Sequence, residues 1–108
     1  MNSIFHLSGT TLTVLLPIEI DHHNAEQIRR EADRLIQNRK IKSVIFDFSQ
    51  TEFMDSSGIG MLIGRYKMIR FLGGTMTAVH VSERMQRILQ MSGIHQLIDI
   101  CEEIADVW

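Results

Sequence analysis

Three observations predict an α/β fold with a mixed, mainly parallel sheet of about four to five strands. Short segments rich in Val, Ile, Phe and Thr alternate with segments whose apolar residues recur every three or four positions. Glycines punctuate these segments. The chain of 108 residues is long enough for one hydrophobic core, so we expect a single domain over 1–108. In so small a chain the helices are expected to pack on one side of the sheet.

The first part of the chain predicts a strand pair followed by a helix. Residues 3–7 and 11–17 have strand composition, and Ser8-Gly9-Thr10 separates them as a hairpin turn would. Pro17 is expected to end the second strand because it lacks an N–H. Asp21 then suits the N-cap of an amphipathic helix that continues to about Arg39. Its predicted buried stripe is Ala25, Ile28, Ala32, Leu35 and Ile36.

The middle of the chain predicts a central strand and a second helix. Residues 44–48 are nearly continuously apolar, which favours a strand covered on both faces. The second helix is expected from about Ser56 to Gly73-Gly74. At 100° per residue, Met61, Arg65 and Met68 fall on its outer face. Its predicted core stripe is Ile59, Leu62, Ile63, Tyr66 and Ile69.

The last part of the chain is predicted to form a strand, a helix, a second strand and a weak helical tail. Residues 75–81 have strand composition, and Ser82 suits the N-cap of a short helix that Gly93 ends. Residues 97–100 predict the last strand, and the tail runs to Trp108. The predicted order is ββαβαβαβ.

Composition limits the class of partner. A formal net charge of −2, a pI near 6.2 and scattered Lys and Arg give no electrostatic reason to bind nucleic acid or an anionic membrane. No apolar segment approaches the roughly 20 residues that cross a bilayer, and no secretory signal is visible. The single cysteine, Cys101, cannot form an internal disulfide. We therefore expect a cytoplasmic protein, and a monomer because no heptad pattern occurs.

The start of the second helix is the most informative segment, because Ser56 and Ser57 are followed by Gly58 and Gly60. Each glycine inside a helix costs about 1 kcal/mol relative to alanine. Bare backbone around the two hydroxyls would let another protein surface approach them closely. The segment also follows a buried strand, where open α/β sheets place their working sites. We interpret Ser56 as a serine presented to a partner.

A phosphate on Ser56 would change binding without unfolding the helix. It would add about −1.5 to −2 charge at the positive end of the helix macrodipole, which tolerates it. A partner packed against this helix start would then meet bulk and negative charge beside Asp55. The residues alone therefore favour a binding surface that phosphorylation switches off.

Several of these residues have a structural alternative. Ser57 is either a second acceptor or the helix cap, and Asp55 either orients a kinase or caps the same turn. Tight packing is the alternative for Gly58 and Gly60, and for Gly64 by itself we expect packing to be the explanation. Met61 and Met68 are either partner contacts or scattered exposed apolar residues.

Enzymatic and metal-binding alternatives find little support. A hydrolase nucleophile requires Gly-x-Ser-x-Gly, and Met54-Asp55-Ser56-Ser57-Gly58 lacks the first glycine, although His80 and His95 follow in the right order. No nucleotide-binding motif occurs. His22 and His23 beside Asp21 suggest a metal, but no third or fourth ligand lies at a recognisable spacing. We therefore expect that the protein is not an enzyme and that it binds neither a cofactor nor a metal.

The motifs together resemble a known family. Asp21-His22-His23 before a helix, Phe53 to Gly60, Gly64-Arg65-Tyr66-Lys67, Gly73-Gly74 and Met91-Ser92-Gly93 strongly resemble the STAS domain of bacterial anti-sigma factor antagonists. The resemblance covers essentially the whole chain. It is strongest to the sporulation members that act on the anti-sigma factor of sigma F.

That resemblance implies partner switching. The unphosphorylated domain would bind an anti-sigma factor that is also a serine kinase, and so release the sigma factor. The kinase would use ATP to phosphorylate Ser56, the antagonist would dissociate, and a serine phosphatase would reset it. The resemblance also places the loop of Asp21 beside the serine. The expected partner-binding residues are Asp21, His22, His23, Asp55, Ser56, Ser57, Gly58, Gly60, Met61 and Arg65. The alternative is a STAS subunit of a stress-response or of a lipid or anion transport system.

Overall fold

The computed structural model describes residues 3–102 and confirms the alternation of strand and helix. The predicted tail from 103 to Trp108 lies outside the described residues. The elements in chain order are β1 (Phe5–Ser8), β2 (Thr11–Leu15), β3 (Glu19–Ile20), α1 (His22–Asn38), β4 (Ser43–Asp47), β5 (Phe53–Met54), α2 (Ser56–Phe71), β6 (Thr75–Val81), α3 (Glu83–Ser92), a 3₁₀ turn (Ile94–Gln96) and β7 (Asp99–Glu102).

The main sheet has five strands in the order β1-β2-β4-β6-β7. β1 and β2 form the predicted antiparallel hairpin, whose turn holds Gly9 at a φ of 59°. All other neighbours in this sheet are parallel. Helices connect β2 to β4, β4 to β6 and β6 to β7. This is the α/β architecture that the sequence predicts.

Among residues 3–102 the helices cover only one face of the main sheet, so the prediction that β4 is covered on both faces is wrong for this part of the chain. Val44 and Phe46 are fully buried under the helices. Ile45 and Asp47 point to the opposite face and are half-buried. In the sheet Ile45 lies between Thr13 and Thr77 of the neighbouring strands. A central position, with strands on both sides, partly shields Ile45 without a second layer.

The first helix matches its prediction. Asp21 is the N-cap of α1, and the helix ends within one residue of Arg39. All five residues of the predicted stripe are buried, namely Ala25, Ile28, Ala32, Leu35 and Ile36. They join side chains of β2, β4 and β6 in one hydrophobic core. The 3.6-residue period was therefore sufficient to orient this helix.

The second helix is more deeply buried than predicted, and the outer face assigned to it was wrong. Met61 and Arg65 are only 4% and 6% exposed, and Met68 is partly buried. Leu62 and Ile69 are fully buried as expected, and the remaining predicted core residues, Ile59, Ile63 and Tyr66, pack against the core while partly exposed. The reason is that α2 packs against α1 as well as against the sheet.

An ion pair lies in this α1–α2 interface. Arg65 Nε of α2 lies 2.7 Å from Asp33 Oδ1 of α1. Arg29, which is also on α1, has its Nη1 3.5 Å from Asp33 Oδ2. The Nε–H of Arg65 is not aligned with the Asp33 oxygen, so this close contact is an ion pair without a good hydrogen bond. Burial lowers the pKa of Arg65, and Asp33 opposes that shift. The guanidinium remains charged and depends on Asp33.

Three short elements were not predicted. β3 and β5 have two residues each and form a separate parallel pair. Two residues are too few to show a periodicity. The 3₁₀ turn occupies Ile94–Gln96, so β7 begins at Asp99 rather than at Leu97, which is 47% exposed. Within residues 3–102, no helix combines the length and apolar character needed to span a membrane.

We predict that Asp33→Ala costs more stability than Arg65→Met. Asp33→Ala leaves a buried guanidinium without a salt-bridge partner, which should lower the free energy of unfolding by about 3 kcal/mol. In Arg65→Met, Asp33 keeps Arg29, and a flexible apolar side chain fills the space. That variant should lose about 1 kcal/mol or less. Urea unfolding measures both, and equal losses would contradict the inferred dependence of Arg65 on Asp33.

Candidate partner-binding site

Two strand-to-helix units lie side by side at one end of the molecule. β3 leads into α1 and β5 leads into α2, and the pairing of Ile20 with Met54 places the two units in register. The Asp55 N–H donates to the Ile20 carbonyl over 3.1 Å. Asp21 and Asp55 therefore occupy equivalent positions, each followed by the first residue of a helix. This arrangement brings together the two separate sequence segments that contain the predicted site.

Both aspartates are helix caps. Asp21 Oδ1 accepts from the Asn24 N–H over 2.9 Å, and Asn24 Oδ1 accepts from the Asp21 N–H over 2.8 Å. Asp55 Oδ1 accepts from the Ser57 N–H over 2.8 Å. The capping role left open for both residues is thus present, while a role of either in partner contact stays a prediction. A capped start fixes where the side chains of the first turn point.

Ser56 and Ser57 occupy different environments. Ser56 is the first residue of α2 and is exposed, as expected for a presented serine. Ser57 is half-buried. The suggestion that Ser57 caps the helix was wrong, because Asp55 is the cap and Ser57 donates its backbone N–H to it. The two adjacent hydroxyls are therefore not equally accessible.

His22 connects the two helix starts. Its Nδ1 lies 3.4 Å from Ser57 Oγ, across the gap between α1 and α2. The His23 ring turns away and lies 3.4 Å from Gln27 Nε2 on its own helix. Both histidines are exposed. A shallow groove of about 240 Å³ continues from this contact, and its lining residues are His22, Ala25, Glu26, Arg29, Ser57, Gly60 and Met61.

The charged residues of the groove are already paired. Glu26 forms a two-pronged ion pair with Arg29, which lowers the pKa of Glu26 to about 2. Arg29 also contacts Asp33. The α1 and α2 first turns contain no acidic residue. The positive potential near Ser56 therefore comes from the N-terminal ends of α1 and α2, whereas Asp55 supplies a nearby negative charge.

The glycines of α2 have three different surroundings. A Cβ on Gly58 would lie 2.2 Å from Met54 Cγ and 3.0 Å from Ile20 Cγ2, so this buried glycine is required for packing. A Cβ on Gly60 would meet no atom within 4 Å. The access interpretation was therefore wrong for Gly58 and remains open for Gly60. Packing does not explain Gly64, where a Cβ would also meet open space.

The structure gathers most, but not all, of the predicted binding residues at this end. Asp21, His22 and His23 open one helix, and Asp55, Ser56 and Ser57 open its neighbour. Gly60 and Met61 line the groove between them, Met61 from a buried position. Gly58 is buried beneath, and Arg65 lies in the α1–α2 interface. The prediction that Met61 and Arg65 face outward to contact a partner was wrong, because both side chains are buried.

Two exposed apolar side chains at this end were missed. Ile18 and Phe53 are 54% and 53% exposed. The Phe53 N–H donates to the Ile18 carbonyl over 3.2 Å, so the two residues adjoin beside β3 and β5. Apolar residues in turn segments were the available sequence signal, but they cannot be told from core residues without the fold.

Within residues 3–102, the described contacts include neither a serine–histidine–carboxylate arrangement nor a cluster of metal ligands. His80 Nδ1 lies 3.1 Å from Asp47 Oδ1, and no hydrogen bond within residues 3–102 joins His80 or His95 to a serine hydroxyl. The same part of the chain contains no group of three or more potential metal ligands. His22 contacts Ser57, but none of its described hydrogen bonds goes to a carboxylate. A carboxylate is the group that would orient the ring as a catalytic base.

The fold and the two adjacent helix starts allow the family of the chain to be assigned. The family model described as the STAS domain matches residues 5–107, and the chain belongs to that family. The chain is 38% identical over 89 residues to the anti-sigma F factor antagonist of Paenibacillus polymyxa, covering 82% of this chain and 76% of that protein. It is 32% identical over 83 residues to the anti-sigma-B factor antagonist of Bacillus subtilis (strain 168), covering 76% and 73%.

Solved structures agree with this assignment. The anti-sigma factor antagonist SpoIIAA in its unphosphorylated form superposes with a TM-score of 0.82 at 28% identity, over 92% of this chain and 87% of that one. The Bacillus cell fate determinant SpoIIAA in its phosphorylated form gives a TM-score of 0.74 at 29% identity, over 92% and 90%.

We predict that alanine substitutions at Gly58 and Gly60 have opposite effects on stability. Gly58→Ala should lower the free energy of unfolding by about 1–3 kcal/mol, because its methyl group overlaps buried Met54. Gly60→Ala should raise it by up to about 1 kcal/mol, because alanine favours the helix and meets open space. Urea unfolding tests the pair, and a stabilising Gly58→Ala would refute the packing role.

Proposed function

We propose that this protein is an anti-anti-sigma factor whose unphosphorylated form binds an anti-sigma factor with serine kinase activity and so frees the sigma factor. The kinase uses ATP to phosphorylate Ser56, which switches binding off, and a serine phosphatase restores the free hydroxyl. The domain is the ligand and the substrate rather than an enzyme. It acts in the cytoplasm as a monomer.

The observation that carries this proposal is the difference between the two serines. Ser56 is exposed at the first position of α2, whereas Ser57 is half-buried and contacts His22. A kinase must bring the acceptor oxygen into its own active site, which requires free access to that oxygen. Ser56 meets this requirement without unfolding of the helix. Its exposed position at the start of α2 also lets it contact a partner docked at this end.

The electrostatics explain how a phosphate acts as a switch. The starts of α1 and α2 lie together, so their combined positive potential tolerates a phosphate on Ser56 and the fold is kept. The groove cation Arg29 already pairs with Glu26 and Asp33, so it is not free to neutralise the added charge. A docked partner would therefore face the new charge together with that of Asp55. Like charges across an interface cost several kcal/mol.

The relatives support both the role and the modification. The P. polymyxa protein is an anti-sigma F factor antagonist, and SpoIIAA has been solved in unphosphorylated and phosphorylated forms. On the higher identity to the sigma F relative we propose sporulation sigma F as the sigma factor that this chain releases. The B. subtilis sigma-B relative gives a specific reason to keep the stress-response role as the second candidate. The transport alternative rests on the shared fold alone.

Phosphorylation by the anti-sigma F kinase tests the proposal directly. We expect intact-mass spectrometry to find one phosphate on the wild type and on Ser57→Ala, and none on Ser56→Ala, because only the Ser56 hydroxyl is freely accessible. In calorimetric titrations, phosphorylation should weaken kinase binding at least about tenfold.

Ser57→Ala is the matched control because it removes the neighbouring hydroxyl from the same helix turn. A phosphate that persists on Ser56→Ala would refute the assignment of the acceptor. Binding and phosphorylation only by an anti-sigma-B kinase would move the protein to the stress-response role. Failure with both kinases, each active on its own antagonist, would favour the transport-type role.

A further inference from the structure

The end of the molecule opposite Ser56 has a distinct surface. Since α1 and α2 start side by side and run parallel, their last turns also lie together, about 24 Å from the serine at 1.5 Å per residue. The Thr75 N–H donates to the Lys42 carbonyl over 2.9 Å, which joins the segment after α2 to the segment after α1. We name this surface the distal end; its residues are Arg39, Lys40, Lys42, Lys67, Arg70, Phe71 and Leu72.

The distal end is strongly basic although the whole chain is slightly acidic. Residues 34–46 and 56–82 contain no Asp or Glu. Five cations of these segments, namely Arg39, Lys40, Lys42, Lys67 and Arg70, are exposed at the distal end, and none of the five has a salt bridge within residues 3–102. By contrast, Arg29, Arg34 and Arg65 are all paired. The fold thus concentrates positive charge at one end, where the acidic Asp99 lines a groove together with Arg70.

Apolar side chains lie within this basic surface. Phe71 is 89% exposed and Leu72 is 53% exposed at the end of α2. A groove of about 370 Å³ lies beside Leu72, and its lining residues are Ile36, Gln37, Lys40, Ile41, Lys42 and Leu72. A cation in the last turn, such as Arg70, also compensates the helix dipole. That effect does not explain why a phenylalanine protrudes into water.

We propose that the distal end binds an anionic phospholipid bilayer. Phosphate headgroups complement the five cations, and the interfacial region of a fluid bilayer accepts a protruding aromatic ring without a preformed pocket. An acidic protein segment would satisfy the charges but would need its own pocket for Phe71. The sequence-based expectation of no membrane partner rested on net charge and scattered cations, and tertiary structure removes the second of those grounds.

Binding in this way would leave the Ser56 end facing away from the bilayer, because the two ends lie at opposite ends of the same helices. The antagonist would then be concentrated at a membrane surface with its switch still accessible. The inference is independent of the proposed kinase, since it uses none of the residues at the Ser56 end.

Vesicle co-sedimentation of the full chain tests this inference. The wild type should bind vesicles in which about half of the phosphatidylcholine is replaced by phosphatidylglycerol, and should not bind phosphatidylcholine alone. Lys42→Gln and Lys67→Gln should each weaken binding about fivefold, and Phe71→Ala about tenfold. Binding should decrease as salt shortens the screening length to about 3 Å at 1 M.

Two substitutions away from the distal end are matched controls. Phe53 is an aromatic residue that is 53% exposed beside β3 and β5, and Arg84 is an exposed cation in the first turn of α3 without a salt bridge within the described chain. Phe53→Ala and Arg84→Gln should leave vesicle binding unchanged. Equal losses in the control variants, equal binding to both vesicle types or no binding at low salt would each overturn the proposal. In the last case an acidic protein segment becomes the favoured occupant.

Discussion

The parallel pairing of β3 with β5 is the constraint on which the functional end depends. These strands contain only two residues each, yet they align Ile20 with Met54 and so fix the starts of both helices relative to one another. The absence of a side chain at Gly58 lets α2 approach this pair, since a Cβ there would overlap Met54 and touch Ile20. A small number of close backbone contacts therefore positions an exposed serine beside a second helix start. Backbone hydrogen bonds and capped helix ends fix the positions of the two helix starts.

The ion pair between Arg65 and Asp33 lies inside the interface between α1 and α2. A buried charge pair contributes little net stability compared with well-packed apolar residues, but an unpartnered charge there is costly. Such a pair favours one relative placement of the two helices, because sliding them would separate the charges. The same interface contains the groove next to Ser57, so the geometry of the functional end and the packing of the helices are linked. Stability and binding are thus properties of one interface.

The two ends of the α1–α2 pair differ in chemistry. Near Ser56 the capping aspartates and the helix N-termini balance one another, and the cation of the groove is internally paired. At the distal end the cations lack ion-pair partners within residues 3–102 and surround exposed Phe71. Parallel helices produce this polarity directly, because every residue near an N-terminus lies at one end and every residue near a C-terminus at the other. A nearly neutral protein can therefore have two surfaces suited to different partners.

By itself the sequence determined the alternation of strand and helix, the stripe of α1 and the exposed position of Ser56. These features depend on local periodicity, on capping residues and on glycine, whose effects act within one or two turns. Tertiary structure alone decided that Met61 and Arg65 are buried and that Gly58 is needed for packing. It also decided that scattered cations form one surface. Each of these depends on which element lies next to which, and contacts between residues distant in the chain leave no periodic pattern in one sequence.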